Sequence, residues 1–107
     1  MLTFNLKFKY FDMIISGLKD TEYRTKNNYW DKRISKLKIG DTIKIIKGHT
    51  KTFIYAEVVK IDKIIYTELP EYAKEFFYDL DRGFIDNMPD FLLWYYAIQF
   101  KIIKEEK

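Results

Sequence analysis

The chain has 107 residues, 48% of them hydrophobic and 33% charged, with a formal net charge of +3. That length suits a single domain, 1–107, with enough apolar material for one packed core. It contains no cysteine and only one histidine, His49, which excludes disulfides, thiolate catalysis, cysteine-held zinc and a Ser-His-Asp triad built around any other histidine. No metal and no cofactor are expected, and His49, at a predicted hairpin tip, is assigned no role.

No apolar run approaches the roughly 20 residues of a membrane span, and Lys7 and Lys9 interrupt the stretch where a secretory signal would need its apolar core. The expectation is a cytoplasmic protein with no membrane contact, and a monomer. Residues 24–51 carry nine Lys/Arg against Asp31 and Asp41, a balance of +7; residues 65–93 carry seven Asp/Glu against Lys74 and Arg82, a balance of −5. Such a layout points to an anionic partner on one side, although lysine-rich composition alone produces the same count.

Taken in order, Thr3 to Phe8 alternates, with Phe4, Leu6 and Phe8 on one side, and predicts a strand. Lys9 to Ser16 places Tyr10, Phe11, Ile14 and Ile15 at helical spacing, and Gly17 sits where a left-handed cap belongs. Lys19 to Thr25 predicts a second strand, and Tyr29 to Leu37 a short helix. Gly40-Asp41 turns the chain into a strand over 42–47. Phe53 to Tyr66 is β-branched and predicts one bent strand or two. Leu69 to Leu80 predicts a helix opened by Pro70, 81–90 a loop or helix, and Trp94 to Ile103 a closing strand with Trp94 in the core. This order suits an α+β fold: a small mixed barrel of five to six strands with two or three short helices.

The segment Gly17-Leu18-Lys19-Asp20-Thr21-Glu22-Tyr23-Arg24 carries the chemistry. On a regular strand Glu22 and Arg24 share a face with Asp20, and Lys19 points away. Lys19 converges with Glu22 only if it lies in the turn after Gly17 or at a bulge; otherwise the charges make solvated pairs worth about 0–1 kcal/mol. Convergence would give a pocket with two cations and one acceptor. Around it, Lys26, Lys32, Arg33, Lys36 and Lys47 would track phosphates, and Tyr23, Tyr29 and Trp30 would stack an unpaired base; Trp30 reads equally well as core.

This motif, preceded by Lys9-Tyr10-Phe11-Asp12 and followed by Tyr29-Trp30-Asp31-Lys32-Arg33, resembles the ASCH family, relatives of the PUA RNA-binding barrels. The Gly40-Asp41 turn and the terminal Tyr96-Ala97-Ile98-Gln99-Phe100 strand extend the likeness over nearly the whole chain. The resemblance implies a PUA-like barrel binding RNA or a nucleotide, with Lys19, Glu22, Arg24, Lys26, Tyr29, Trp30, Lys32 and Arg33 as nucleic-acid-binding candidates. Some ASCH relatives are amidohydrolases acting on N4-acetylcytidine through a Lys, a Thr three positions on and a distant Glu; others are described as ribonucleases. Lys19 matches that lysine, but Glu22 stands at the Thr position. The catalytic alternative therefore rests on Lys19 and Glu22, with Glu75 (or Glu71) as the distant carboxylate. Glu22 would then activate water while Lys19 stabilises an oxyanion.

Overall fold

The computed structural model describes residues 1–87 and 93–103, with the side chains of 81–87 left aside. Its elements are β1 (Thr3–Leu6), α1 (Phe8–Ile15), β2 (Thr21–Thr25), α2 (Asn28–Ile34), β3 (Thr42–Lys47), β4 (Phe53–Ile65), a short 3-10 turn (Tyr66–Glu68), α3 (Glu71–Asn87) and β5 (Trp94–Ile102). The five strands form one sheet in the order β1-β3-β4-β5-β2. Only the β1–β3 pair is parallel. The 13-residue β4 pairs with β3 near its start and with β5 over most of its length, with a register shift between Val58 and Lys60. That irregularity bends the sheet. The result is the expected α+β architecture, a mixed half-barrel whose two edge strands, β1 and β2, flank a seam that no backbone ladder closes.

The barrel interior follows the alternation in the strands: Phe4 and Leu6 from β1, Ile43 and Ile45 from β3, Ala56 and Val58 from β4, and Tyr96, Ile98 and Phe100 from β5 are all buried together. Phe11, Ile14 and Ile34 close the ends from α1 and α2. Strand β5 is covered on its other face too, where Tyr95 packs with Leu69, Ala73 and Phe77 of the α3 region. A strand covered on both sides explains why this stretch reads as a continuous apolar run rather than an alternation.

Three expectations change. Phe8 does not extend β1. It opens α1, because the Lys7 carbonyl already accepts from Tyr10 and Phe11 N–H at 3.0 Å each, and its exposed ring leans on Gly48, where a Cβ would stand 2.6 Å from it. Trp94 is 40% exposed rather than core. It shares a face with Tyr96 but lies at the last rung of the β4–β5 ladder, opposite Ile65, beyond the layer that the barrel fills. Helix α3 begins after Pro70 as predicted but runs on to Asn87; residues 88–90 of the 81–90 segment lie outside the described residues. No helix among the described residues is long and apolar enough to cross a membrane.

Candidate ligand cleft at the barrel seam

Lys19 comes before β2, not within it. Gly17 adopts φ +82°, the left-handed conformation that lets α1 stop abruptly. The Leu18 and Lys19 N–H groups then both turn back to the Met13 carbonyl, at 2.9 and 3.1 Å. Freed from strand alternation, the Lys19 side chain folds onto the same side as Glu22.

The three charges converge. Lys19 Nζ lies 3.0 Å from Glu22 Oε1 and Arg24 Nη2 2.5 Å from Glu22 Oε2, with the side chains 4%, 6% and 22% exposed in the order Lys19, Glu22, Arg24. Lys19 also donates to the Thr21 carbonyl at 2.7 Å and sits over the Tyr23 and Tyr72 rings, 5.4 and 5.3 Å from their centroids. Arg24 crosses the seam to donate to the Asn5 carbonyl of β1 at 3.4 Å. Its guanidinium rests on Phe4 and Trp30, 5.1 and 4.9 Å from the ring centroids, and its Nε is buried without a partner among the described residues. Two cations on one carboxylate leave a net positive site, and the low-dielectric surroundings strengthen each contact.

A cleft of about 190 Å³ opens beside this cluster along the seam, between Asn5, Leu6 and Lys7 on one side and Glu22, Tyr23 and Arg24 on the other. Tyr10 of α1 and Tyr72, Phe76 and Phe77 of α3 complete its walls. The rings form a connected group: Tyr10 meets Tyr72 at 6.0 Å and Phe76 at 5.7 Å, and Tyr23 meets Tyr72 at 6.5 Å. Lys7 Nζ lies 5.2 Å from the Phe76 centroid. The cleft is thus aromatic on its flanks and cationic at its end.

The structure sorts the sequence candidates unevenly. Trp30 stacks on Phe4 at 5.4 Å and supports Arg24, so it is partly core and adjoins the cleft without lining it. Lys26 pairs with Asp31 at 3.3 Å. Tyr29 is exposed, but Arg33 lies 3.5 Å from its ring centroid and donates to its carbonyl. Lys32, Arg33 and Lys36 line a separate shallow groove with Leu2, Asp41 and Thr42. Lys47 is held by Asp12 at 3.1 Å. Glu75 is exposed on α3 and neither it nor Glu71 lines the cleft; Tyr72, Ala73, Phe76 and Phe77 do. Tyr72 and Lys7 escaped the sequence reading. The signal for Tyr72 was its place beside Ala73 and four residues before Phe76, on a helix read only for its core face.

Helix α2 is fixed relative to the cleft by polar contacts. Asn27 caps it by accepting from the Trp30 N–H at 3.0 Å, and Tyr96 O–H donates to Asp31 Oδ1 at 2.5 Å from within the barrel. The Tyr96 bond, with Lys26 nearby, holds the Asp31 carboxyl below its ordinary range, and burial together with Asp31 pushes the Tyr96 phenol up to about 12. Burial likewise raises Tyr72, Tyr23 and Tyr10, the first two further disfavoured as phenolates by Glu22 and Asp20. The sign follows from linkage. Raised tyrosines give stability that is complete below their unfolded value of 10.0 and is lost as pH rises through the folded values; Asp31 gives stability that disappears as pH falls below its unfolded value of 3.8. Urea midpoints measured against pH should therefore hold through neutrality and fall above pH 10.0, with Tyr96→Phe making the alkaline fall shallower. An alkaline limb identical in the variant would contradict the assignment.

No protein-family model matches the sequence, and no curated protein matches it significantly. Solved structures do match. A protein of Enterococcus faecalis, EF3133, of the DUF984 family model, superposes with a TM-score of 0.67 at 12% identity, over 96% of this chain and 82% of that one. The ASCH domain of Lactobacillus crispatus gives 0.58 at 16% identity, over 94% and 79%. The fold is that of the ASCH domain. A third structure of this ASCH-like shape, hypothetical protein PH0355, gives 0.60 at 17% identity and covers 95% of this chain and 98% of that one. Within the ASCH fold of this chain, the motif read from the sequence lies where the seam opens.

Proposed function

We propose that this ASCH-fold chain binds a nucleotide, or one unpaired base of an RNA strand, in the seam cleft. The observation that carries the reading is the convergence of Lys19, Glu22 and Arg24 beside the ring group of Tyr10, Tyr23, Tyr72 and Phe76. A base stacked on one of these rings gains about 1–3 kcal/mol, and Arg24 and Lys7 supply cations for a phosphate. Lys19 is already committed to Glu22 and Thr21, so its part is to hold Glu22 and the two tyrosines in place, while Arg24, whose side chain is the more exposed of the two cations, meets the ligand. The exposed Lys32, Arg33 and Lys36 would take the flanking backbone of a longer strand.

Titration of fluorescent single-stranded RNA at several salt concentrations tests this. Binding should weaken steeply with salt, and Arg24→Ala should lower affinity about tenfold or more while a remote change such as Lys60→Ala does not. Binding indifferent to both Lys19→Ala and Arg24→Ala would sink the reading. The hydrolytic alternative, with Glu22 as base for water and Lys19 stabilising an oxyanion, has in its favour the 3.0 Å approach of the two groups. Against it, both Glu22 oxygens already carry a cation, and among the described residues no second carboxylate lines the cleft. Incubation with N4-acetylcytidine or with RNA, followed by chromatography, separates turnover from binding.

A further inference from the structure

A bare sheet face joins the seam cleft to the basic groove. Asn5 of β1 borders the cleft, and Thr42 of β3 borders the groove that holds Lys32, Arg33 and Lys36. Asn5 pairs with Ile46 and Ile46 with Phe53. One row of outward side chains therefore runs from the cleft across three strands, a span of about 10 Å. The next row on that face runs from Thr3 through Lys44 to Tyr55, and Thr42, two residues from Lys44, leads on into the groove. The α3 region covers the sheet's outer face only around Tyr95. Ile46, Phe53 and Tyr55 belong to neither hydrophobic cluster, and Phe53 is 40% exposed.

The face has a definite chemistry. Lys44 Nζ lies 4.2 Å from the Phe53 ring centroid, and Tyr55 meets that ring edge-on at 5.3 Å. Residues 42–56 hold three lysines and no acid. Among the described residues Lys44 has no carboxylate partner: Glu57 on the same face is taken by Lys101 at 3.4 Å, and Asp12 by Lys47 at 3.1 Å. An exposed ring beside a free cation on a flat sheet suits unpaired bases and the phosphates between them. We propose that the ligand of the cleft is a single strand several nucleotides long rather than a free mononucleotide, and that this face is its track. A base beyond the one in the cleft stacks on Phe53, and Lys44 meets the backbone on its way to the groove. This rests on the binding reading above and adds to it a second stacking position and the length of the ligand. A base gains more on an aromatic ring than a lysine loses by leaving an exposed one, so the base displaces the ammonium and frees it for a phosphate. A second copy of this chain fits the face poorly. A twofold contact would bury both Lys44 side chains in one patch with no free acid to answer them.

The experiment titrates wild type, Phe53→Leu, Phe53→Trp and Lys44→Gln with the four ribonucleoside 5′-monophosphates and with short single-stranded RNA of mixed sequence, by calorimetry. Leucine keeps apolar bulk at an exposed strand position and removes only the aromatic face. The strand should bind wild type about tenfold or more tighter than any monophosphate. Phe53→Leu should weaken the strand about fivefold or more and leave monophosphates within about twofold, while Phe53→Trp retains strand affinity. Lys44→Gln should reduce the slope of log affinity against log salt by about 0.7. A strand that binds no tighter than the monophosphates, or a Phe53→Leu that holds it as wild type does or weakens both ligands alike, would overturn the proposal and leave the cleft as the site. So would a wild-type dimer that Phe53→Leu converts to monomer in size-exclusion chromatography, because a second copy would then cover the face. If neither strand nor monophosphate binds, the binding reading falls together with it.

Discussion

Replacing Glu22 with alanine is expected to destabilise the fold by about 3–5 kcal/mol, because it leaves Lys19 and Arg24 facing each other without their shared counter-ion. Lys19 has nowhere to go: its side chain is 4% exposed, enclosed by the Tyr23 and Tyr72 rings. Glu22→Gln keeps the shape and one acceptor, and should cost less. The decisive variant is the pair Glu22→Ala with Lys19→Met, which removes the stranded cation and fills its place with apolar volume. That double change should be less destabilising than the sum of the single changes by about 1–3 kcal/mol. Urea unfolding of the wild type, Glu22→Ala, Glu22→Gln, Lys19→Met and the double variant reads these differences. A Glu22→Ala loss below about 1 kcal/mol, or strict additivity in the pair, would mean that the cluster behaves like a solvated surface pair.

A second large effect belongs to Phe4. The ring is fully buried, stacks on Trp30 and lies beneath the Arg24 guanidinium. Phe4→Ala should cost about 3–5 kcal/mol through lost burial and the cavity left behind, and Phe4→Leu about 1–2 kcal/mol because most of the volume remains. The two variants also separate packing from site geometry. Phe4→Leu should keep the fold but loosen Arg24, so RNA affinity should fall further than stability alone predicts. Unchanged affinity in Phe4→Leu would show that Arg24 holds its position without the ring.

Much of the fold was legible because local signals agreed. Phe4 and Leu6 alternate, Gly17 stops a helix in the left-handed conformation it favours, Asn27 caps α2, and Pro70 stands just ahead of α3. What failed was set by distant partners. Nothing near Trp94 tells that β5 overruns the barrel at that rung, and nothing near Phe8 tells that the chain turns to reach α1. The +7 segment is spread over more than one surface. Lys26 and Lys47 are each bound to an acid, and Lys44 lies 4.2 Å from the Phe53 centroid. Only Lys32, Arg33 and Lys36 gather in one groove, so the count of charges overstated the basic face.

The candidate site divides along the same line. Lys19, Glu22 and Arg24 could be suspected from one short segment, since a glycine-initiated turn offered a way for them to meet. The other wall of the cleft comes from β1, α1 and α3, brought there by the order β1-β3-β4-β5-β2, which places the first and second strands at opposite edges of the sheet. A seam made by strands that never pair leaves no periodic mark in the sequence.

A structure determined with short single-stranded RNA bound would probe the cleft most directly. The account predicts one base in the seam cleft, packed against the ring group of Tyr10, Tyr72 and Phe76, with a phosphate at the guanidinium of Arg24. RNA lying along Lys32, Arg33 and Lys36 with the seam empty would contradict it.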